Sequence, residues 1–392
     1  MGLKPYITSE KDYIVGLRRY FHRHPEPSLK EFETARRIEE ELDALAVVHR
    51  RVGETGVVAF VRGKAGGGAG AVALRADIDA LPIAERTGAL YASEREGFMH
   101  ACGHDGHAAS LLGAARALKG KEAEFSGEVR LFFQQAEEIG QGARQFVAAG
   151  LLDGVGAILG THLASLLPVG TMALTGGPTN ASCDWFRITV RGRSAHVSTP
   201  HRGVDAAYIA SKTVVELQSI VARRTDPLDP VVVGVGLMRA GTNYNIVANE
   251  ATIEGTTRTF SPEARKRTNE AVARTAALAA QAEGGSAETR FEAYAAPLVN
   301  DEKVAARGRE VARGFAEVDR ILDSIPKSLG ADDFADYLQV VPGVYAFIGS
   351  RNATNPATAM SHHNELFDID EEALLVAANL YADFALDFLR PR

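Results

Sequence analysis

Three histidines, a cysteine and an aspartate fall within one short stretch, Met99-His100-Ala101-Cys102-Gly103-His104-Asp105-Gly106-His107. Thiolate, imidazole and carboxylate are the groups that hold borderline divalent metals such as zinc. Cys102 and His104 flank Gly103, so a tight loop turns both side chains toward one ion, and Gly106 is expected to let the backbone enter the apolar run at 108–115 without strain. The plainer alternative is that these histidines cap a helix or sit solvated on its first turn. A metal site needs partners elsewhere in the chain.

Further carboxylates and imidazoles come where predicted strands end. Segments 57–61 and 71–74 read as strands, joined across the glycine run at 63–70. That run lacks the Gly-Lys-Ser/Thr ending of a phosphate loop and opens no helix, so it reads as a hairpin loop. The second strand leads into Arg75-Ala76-Asp77-Ile78-Asp79, segment 129–135 into Ala136-Glu137-Glu138, and segment 157–160 into Thr161-His162. Three strand ends thus deliver Asp77, Asp79, Glu137, Glu138 and His162 to one rim, where α/β sheets carry their sites. Upstream, Ser28-Leu29-Lys30-Glu31 reads as a capping box, with Leu29, Phe32, Ala35, Ile38, Leu42 and Leu45 at helical spacing after it.

From about residue 182 the pattern changes to strand-helix-strand-strand-helix: strands at 185–190, 230–237 and 251–259, helices at 204–221 and 262–282. That order fits a small α+β domain inserted into an α/β one. The chain then returns to alternation, with a strand at 345–349, a second histidine cluster at Ser361-His362-His363-Asn364 and a closing amphipathic helix at 371–389.

The chain's 392 residues favour two domains, and 46% hydrophobic with 24% charged residues is ordinary globular composition. A net charge of -7 without a basic block argues against nucleic acid and anionic membranes as partners. Two cysteines, Cys102 and Cys183, imply no disulfide framework and suit a reducing compartment. The N-terminus shows neither a secretory h-region nor a myristoylation signal, and no run reaches the roughly 20 apolar residues of a membrane span, so the expectation is a soluble cytoplasmic protein.

Taken in order, these segments closely resemble the amidohydrolase branch of the dinuclear metallopeptidases: aminoacylases, hippurate hydrolases, plant auxin-conjugate hydrolases and aminobenzoyl-glutamate hydrolases. Besides those already quoted, the matching segments are Phe21-His22-Arg23-His24-Pro25-Glu26-Pro27, Gly192-Arg193-Ser194-Ala195-His196, Glu254-Gly255-Thr256-Thr257-Arg258-Thr259-Phe260, Gly330-Ala331-Asp332-Asp333-Phe334 and His363-Asn364 before Phe367-Asp368. The resemblance spans nearly the whole chain. It implies a mixed-sheet α/β catalytic domain (1–181 and 293–392) with a smaller inserted α+β lid and dimerisation domain (182–292), hence a homodimer or higher homo-oligomer.

The resemblance further implies two divalent ions per subunit, held by Cys102, His104, Glu138, His162 and His363, with His362 the alternative last ligand. Zinc suits these donors best, while manganese, cobalt and nickel also fit. Glu137 would be the general base, His196 the lid histidine assisting at the oxyanion, Arg258 the clamp on a substrate carboxylate and Asn245 a substrate-binding asparagine of the lid. Asp77, Asp79 and Asp105 would orient histidines. The implied reaction is hydrolysis of N-acyl or N-aroyl amino acids to a carboxylic acid and a free amino acid; aminobenzoyl-glutamate or a small dipeptide is the alternative substrate. The chain departs from the family at Asn245-Ile246-Val247-Ala248, which lacks a usual proline, at Ser194-Ala195 before His196, and at Glu365. Two readings of other classes compete. One makes Cys102 a metal-independent nucleophile with His104 or His107 as base. The other is a non-catalytic metal-binding protein, for which Glu137 has no use.

Overall fold

A computed structural model of the protein describes residues 5–66, 70–315 and 317–390. Residues 1–4, read above for targeting signals, and the centre of the glycine run lie outside them. The chain divides into two compact units: Met1–Gly177 with Asn300–Pro326 and Asp332–Arg392, and Pro178–Val299 with Lys327–Ala331.

The first unit opens with α1 (Pro5–Thr8), α2 (Lys11–Arg23), α3 (Phe32–Ala44), β1 (Val48–Val52), β2 (Gly56–Arg62), β3 (Ala71–Asp77), α4 (His104–Gly120), β4 (Glu128–Gln134), α5 (Gly142–Ala148), β5 (Val155–Pro168) and β6 (Thr171–Ala173). The chain then passes through β7 (Gly177–Asn180), β8 (Cys183–Arg191), α6 (Ala206–Arg224), β9 (Val232–Ala240), β10 (Glu250–Arg258), α7 (Pro262–Ala282), β11 (Ser286–Ala295) and β12 (Leu298–Asn300). It ends with α8 (Glu302–Ala312), β13 (Arg320–Leu322), α9 (Phe334–Leu338), β14 (Gly343–Arg351) and α10 (Glu372–Phe388).

The large sheet runs β1-β2-β4-β3-β5-β14-β6-β13 and is mixed. β3 is buried at every position, as its Ala-Val-Ala-Leu run requires of a strand flanked by parallel β4 and β5 and covered on both faces. The expected hairpin of β2 with β3 does not form. β4 lies between them, antiparallel to β2 and parallel to β3, and the true hairpin is β1 with β2. Register sets Asp77 opposite Gln134 and Arg75 opposite Gly160, so the ends of β3 and β4 are level with Thr161-His162. β5 runs on to Pro168, so His162 sits inside a strand rather than at its end.

Helices α4 and α10 pack closely because α4 carries small residues at the contact. A Cβ on Gly106 would stand 2.7 Å from Leu163 Cδ1 and 2.8 Å from Leu374 Cδ2. Gly106 therefore serves packing; the left-handed entry to the helix, φ +89°, is made by Gly103. Buried Leu374, Leu375, Leu380, Tyr381 and Phe384 anchor α10, each large side chain contributing about 1.5–3 kcal/mol of apolar burial. Among the described residues no helix is long and apolar enough to cross a membrane.

The second unit has a four-stranded antiparallel sheet, β11-β8-β10-β9, packed on α6 and α7. β8 alternates Phe186, Ile188 and Val190 inward with Trp185, Arg187 and Thr189 outward. Asp205 and Ser261 cap the two helices through their side chains. Strand β11, charged on its outer face, was not expected from the sequence.

Candidate metal centre

Cys102 and His104 straddle the left-handed Gly103 at the start of α4. His104 Nδ1 donates to the Asp79 carbonyl (2.9 Å) and His162 Nδ1 to the Leu163 carbonyl (2.7 Å). A carbonyl only accepts, so each imidazole carries a proton on Nδ1 and turns Nε2 toward the centre, the orientation of a metal ligand. Cys102 Sγ lies 3.5 Å from His162 Nε2.

Glu137 and Glu138 follow β4 in a single 3₁₀ turn entered through Ala136 at φ +55°. Two buried carboxylates hold that turn: Glu31 accepts the Ala136 N–H (2.9 Å) and Asp79 the Glu138 N–H (3.0 Å). His363 is also left-handed, φ +64°, its N–H bound to the Ala101 carbonyl (2.8 Å) and its Nε2 3.3 Å from Glu138 Oε1. Such backbone costs on the order of 1–3 kcal/mol per residue and marks positions that the surrounding structure dictates.

Beside a His104–Glu137–Glu138 group, donor atoms within 4.8 Å of one another form two triads through the cysteine, Cys102–His104–His162 and Cys102–Glu138–His363. They share Cys102. Burial and the Glu138 charge push the Cys102 thiol up, away from the thiolate of a free nucleophile. Burial opposes charge on His104, but Asp77 and Cys102 outweigh it and raise its pKa; burial lowers that of His162, with His107 and His362 adding to the effect. Hydrogen bonds to Cys102 and Glu138 raise His363 to about 10. His104 Nε2 and Glu138 Oε1 are buried and lack a well-aligned hydrogen bond among the described residues, Glu138 Oε1 having only the 3.3 Å approach of His363 Nε2. Soft and borderline donors, two orphaned buried atoms and a disfavoured thiol fit a pair of divalent cations, which would satisfy all three.

His107 and His362 are spent elsewhere. His107 donates from Nδ1 to Asp77 (2.6 Å) and accepts the Leu163 N–H at Nε2 (2.9 Å). His362 Nε2 donates to the Leu163 carbonyl (2.9 Å), so of the two adjacent histidines it is His363 that joins the donor set. Asp77 orients His107 and Asp79 serves His104, but Asp105 binds His22 Nδ1 (2.7 Å), a histidine outside the cluster.

Glu137 is buried beside Asp332 and Asp333, and all three offer oxygens within 4.8 Å of one another. Burial, then Asp332, Glu138 and Asp333, hold its carboxyl well above the usual range. Arg75 compensates this charge from below, pairing with Asp77 (2.5 Å), Asp333 (3.0 Å) and Asp332 (3.5 Å). Sequence reading gave Arg75 and the Asp332-Asp333 pair no role. The available signal was an arginine inside an otherwise apolar strand, which must find carboxylates once buried.

His196, Asn245 and Arg258 all belong to the second unit. Antiparallel bridging of His196 with Ile246, and a Val197 N–H to Asn245 carbonyl bond (3.1 Å), bring the first two together. This pairing holds the loop despite its missing proline. The exposed His196 accepts at Nδ1 from the Ser198 hydroxyl (2.7 Å) and N–H (3.1 Å), so Nε2 carries the proton. Asn245 Oδ1 is buried and unpartnered among the described residues, and Arg258 Nη1 donates to the Leu329 carbonyl (3.3 Å).

Residues 73–387 match peptidase family M20/M25/M40. The chain is 39% identical to N-acetyl-L-cysteine deacetylase of Bacillus subtilis (strain 168), over 95% of its own length and 86% of the relative's. It is 36% identical to IAA-amino acid hydrolase ILR1-like 4 of Arabidopsis thaliana, over 96% and 86%. The crystal structure of the Bacillus subtilis YXEP protein, a dinuclear metal binding peptidase from the M20 family, superposes with a TM-score of 0.84 at 35% identity, covering 97% of this chain and 99% of that one. With the donor set, the mixed sheet and the inserted α+β unit all in hand, the match over most of its length means that the chain belongs to peptidase family M20/M25/M40.

Proposed function

We propose that the protein is a metal-dependent amidohydrolase that cleaves N-acyl or N-aroyl amino acids into a carboxylic acid and a free amino acid. The observation that carries this reading is the juxtaposition of Glu137 with two donor triads that share Cys102. Relatives named for N-acetylcysteine and for indole-acetyl amino acid conjugates support the substrate class.

Cys102, His104, Glu138, His162 and His363 would hold two divalent ions, zinc first among them. When bound, such ions act as Lewis acids and bring the pKa of water toward about 7. Glu137 takes a proton from the attacking water and returns it to the leaving amine; its raised carboxyl suits both transfers. His196, protonated at Nε2, would donate to the developing oxyanion. Arg258, through its two-pronged guanidinium, and Asn245 would receive the carboxylate of the amino-acid part.

We further propose a homodimer formed through the second unit. β9 ends its sheet and exposes Leu237 and Met238, and α6 exposes Tyr208 and Val215. A second copy pairing along β9 would cover both this edge and its apolar side chains. Cys102 and Cys183 are both free, in keeping with the reducing cytoplasm.

The test is turnover of N-acetyl, N-benzoyl, indole-acetyl and 4-aminobenzoyl amino acids by purified protein, by chelated protein, and after zinc or manganese is restored. Turnover abolished by chelation and restored by metal is expected. Turnover surviving complete metal removal would refute the reading in favour of Cys102 as nucleophile. Sedimentation of wild type and Met238→Glu tests the dimer: a wild-type monomer would end that proposal.

A further inference from the structure

The segment Phe21-His22-Arg23-His24-Pro25 carries family resemblance, yet no part of it lies in the donor set. One turn earlier on the same helix stands Arg18, 1% exposed. Its Nε donates to Asp105 Oδ2 (2.9 Å), its Nη2 to Asp368 Oδ1 (2.9 Å) and its Nη1 to Glu371 Oε1 (3.4 Å). The guanidinium lies 4.6 Å from the Tyr91 ring centroid, and the Tyr91 hydroxyl donates to Asp368 Oδ2 (2.8 Å). His22, at 3.5 Å, shares Asp105, and its other nitrogen lies 3.3 Å from Glu85.

Asp105 directly follows His104, and Asp368 lies shortly after His363 in the same loop. We propose that Arg18 is a positioning residue that sets the spacing between the Cys102–His104 turn and the His363 loop, and so completes the Cys102–Glu138–His363 half of the centre. This rests on the metal-dependent reading above.

Two arguments carry it. Helix α2 already has buried apolar anchors in Ile14, Leu17 and Phe21, so attachment of the helix does not need a buried cation, which costs several kcal/mol to desolvate. What a guanidinium adds is a planar fork that grips two carboxylates at fixed separation. Second, the two halves of the centre are unequally secured. The His104 and His162 rings are each locked by a carbonyl, whereas the His363 ring is half exposed and depends on where its loop is held. The Arg18–Asp368–Tyr91 cluster is a buried anchor of that loop.

The experiment is zinc titration of metal-free protein against a chromophoric chelator, with metal content by mass spectrometry and melting temperature alongside. Wild type should bind two ions. Arg18→Lys keeps the charge but not the fork, and should weaken one ion about 10–100-fold while leaving the other near wild type. Asp368→Asn, which cuts the strut on the His363 side alone, should do the same and decides the matter if Arg18→Lys does not fold. Arg19→Ala, which removes an exposed pair with Glu371, should keep both ions. Two tight ions in Arg18→Lys or Asp368→Asn would overturn the inference, as would parallel weakening of both ions in step with melting temperature. A wild type that binds no metal defeats the metal-dependent reading itself, and this inference with it.

Discussion

Glu31 accepts the backbone N–H of Ala136 at 2.9 Å, tying the start of α3 to the left-handed turn that presents Glu137 and Glu138. Its other oxygen receives the Thr55 hydroxyl at 2.7 Å. Burial, reinforced by the charge of Asp79, pushes the Glu31 carboxyl up to about 7. An acid whose pKa is higher folded than unfolded binds more protons in the native state across that interval. Native stability should therefore fall as pH rises from about 4.5 to about 7 and level off above, by an amount on the order of 3 kcal/mol at about 1.4 kcal/mol per unit. Glu31→Gln cannot ionise, so its stability relative to wild type, from urea unfolding, should rise across that window. Parallel curves would show that Glu31 does not titrate there.

Glu137 should be separable from the ligands. Glu137→Gln keeps the volume and loses the base, so kcat should fall at least about 100-fold while zinc content stays at the wild-type value. A variant that lost metal together with activity would make Glu137 a ligand instead.

The adjacent histidines give a sharp contrast. His363→Ala should lose an ion, because His363 Nε2 faces Glu138 and Cys102, and activity should fall with it. His362→Ala should keep both ions and lose about 0.5–1.5 kcal/mol through its bond to the Leu163 carbonyl. Metal content of the two purified variants tests this directly, and the reverse pattern would exchange their roles.

Gly106→Ala should destabilise by about 1–3 kcal/mol, since the new methyl meets Leu163 and Leu374 at 2.7–2.8 Å in a filled core. Thermal unfolding reads this. An unchanged melting temperature would mean that α4 and α10 part more easily than their packing suggests.

Composition and pattern reached far into this protein. The Cys102–His107 cluster, the Glu137-Glu138 pair and the second histidine pair are legible because chemistry demands particular side chains at short spacing. Buried β3 and β4 announce themselves as apolar runs, and α6, α7 and α10 as periodic ones. Ser28-Leu29-Lys30-Glu31 shows where such reading stops. It has the spelling of a capping box, yet Ser28 and Glu31 do not cap α3, whose Thr34 N–H goes instead to the Glu26 carboxylate (2.9 Å). The Ser28 hydroxyl goes instead to Asp79 (2.6 Å) and Glu31 to Ala136 and Thr55. A local motif competes with distant partners, and burial beside unpaired donors makes the distant bond the stronger claim. The same holds for strand order, where β4 separates β2 from β3, for the choice of His363 over His362, and for Arg18 reaching Asp105 and Asp368. Residue types and their spacing dictate which groups are available and which segments form helix or strand. Which hydrogen bond each polar group spends is a property of the folded chain, because it depends on what stands opposite across anything from 24 to 350 residues.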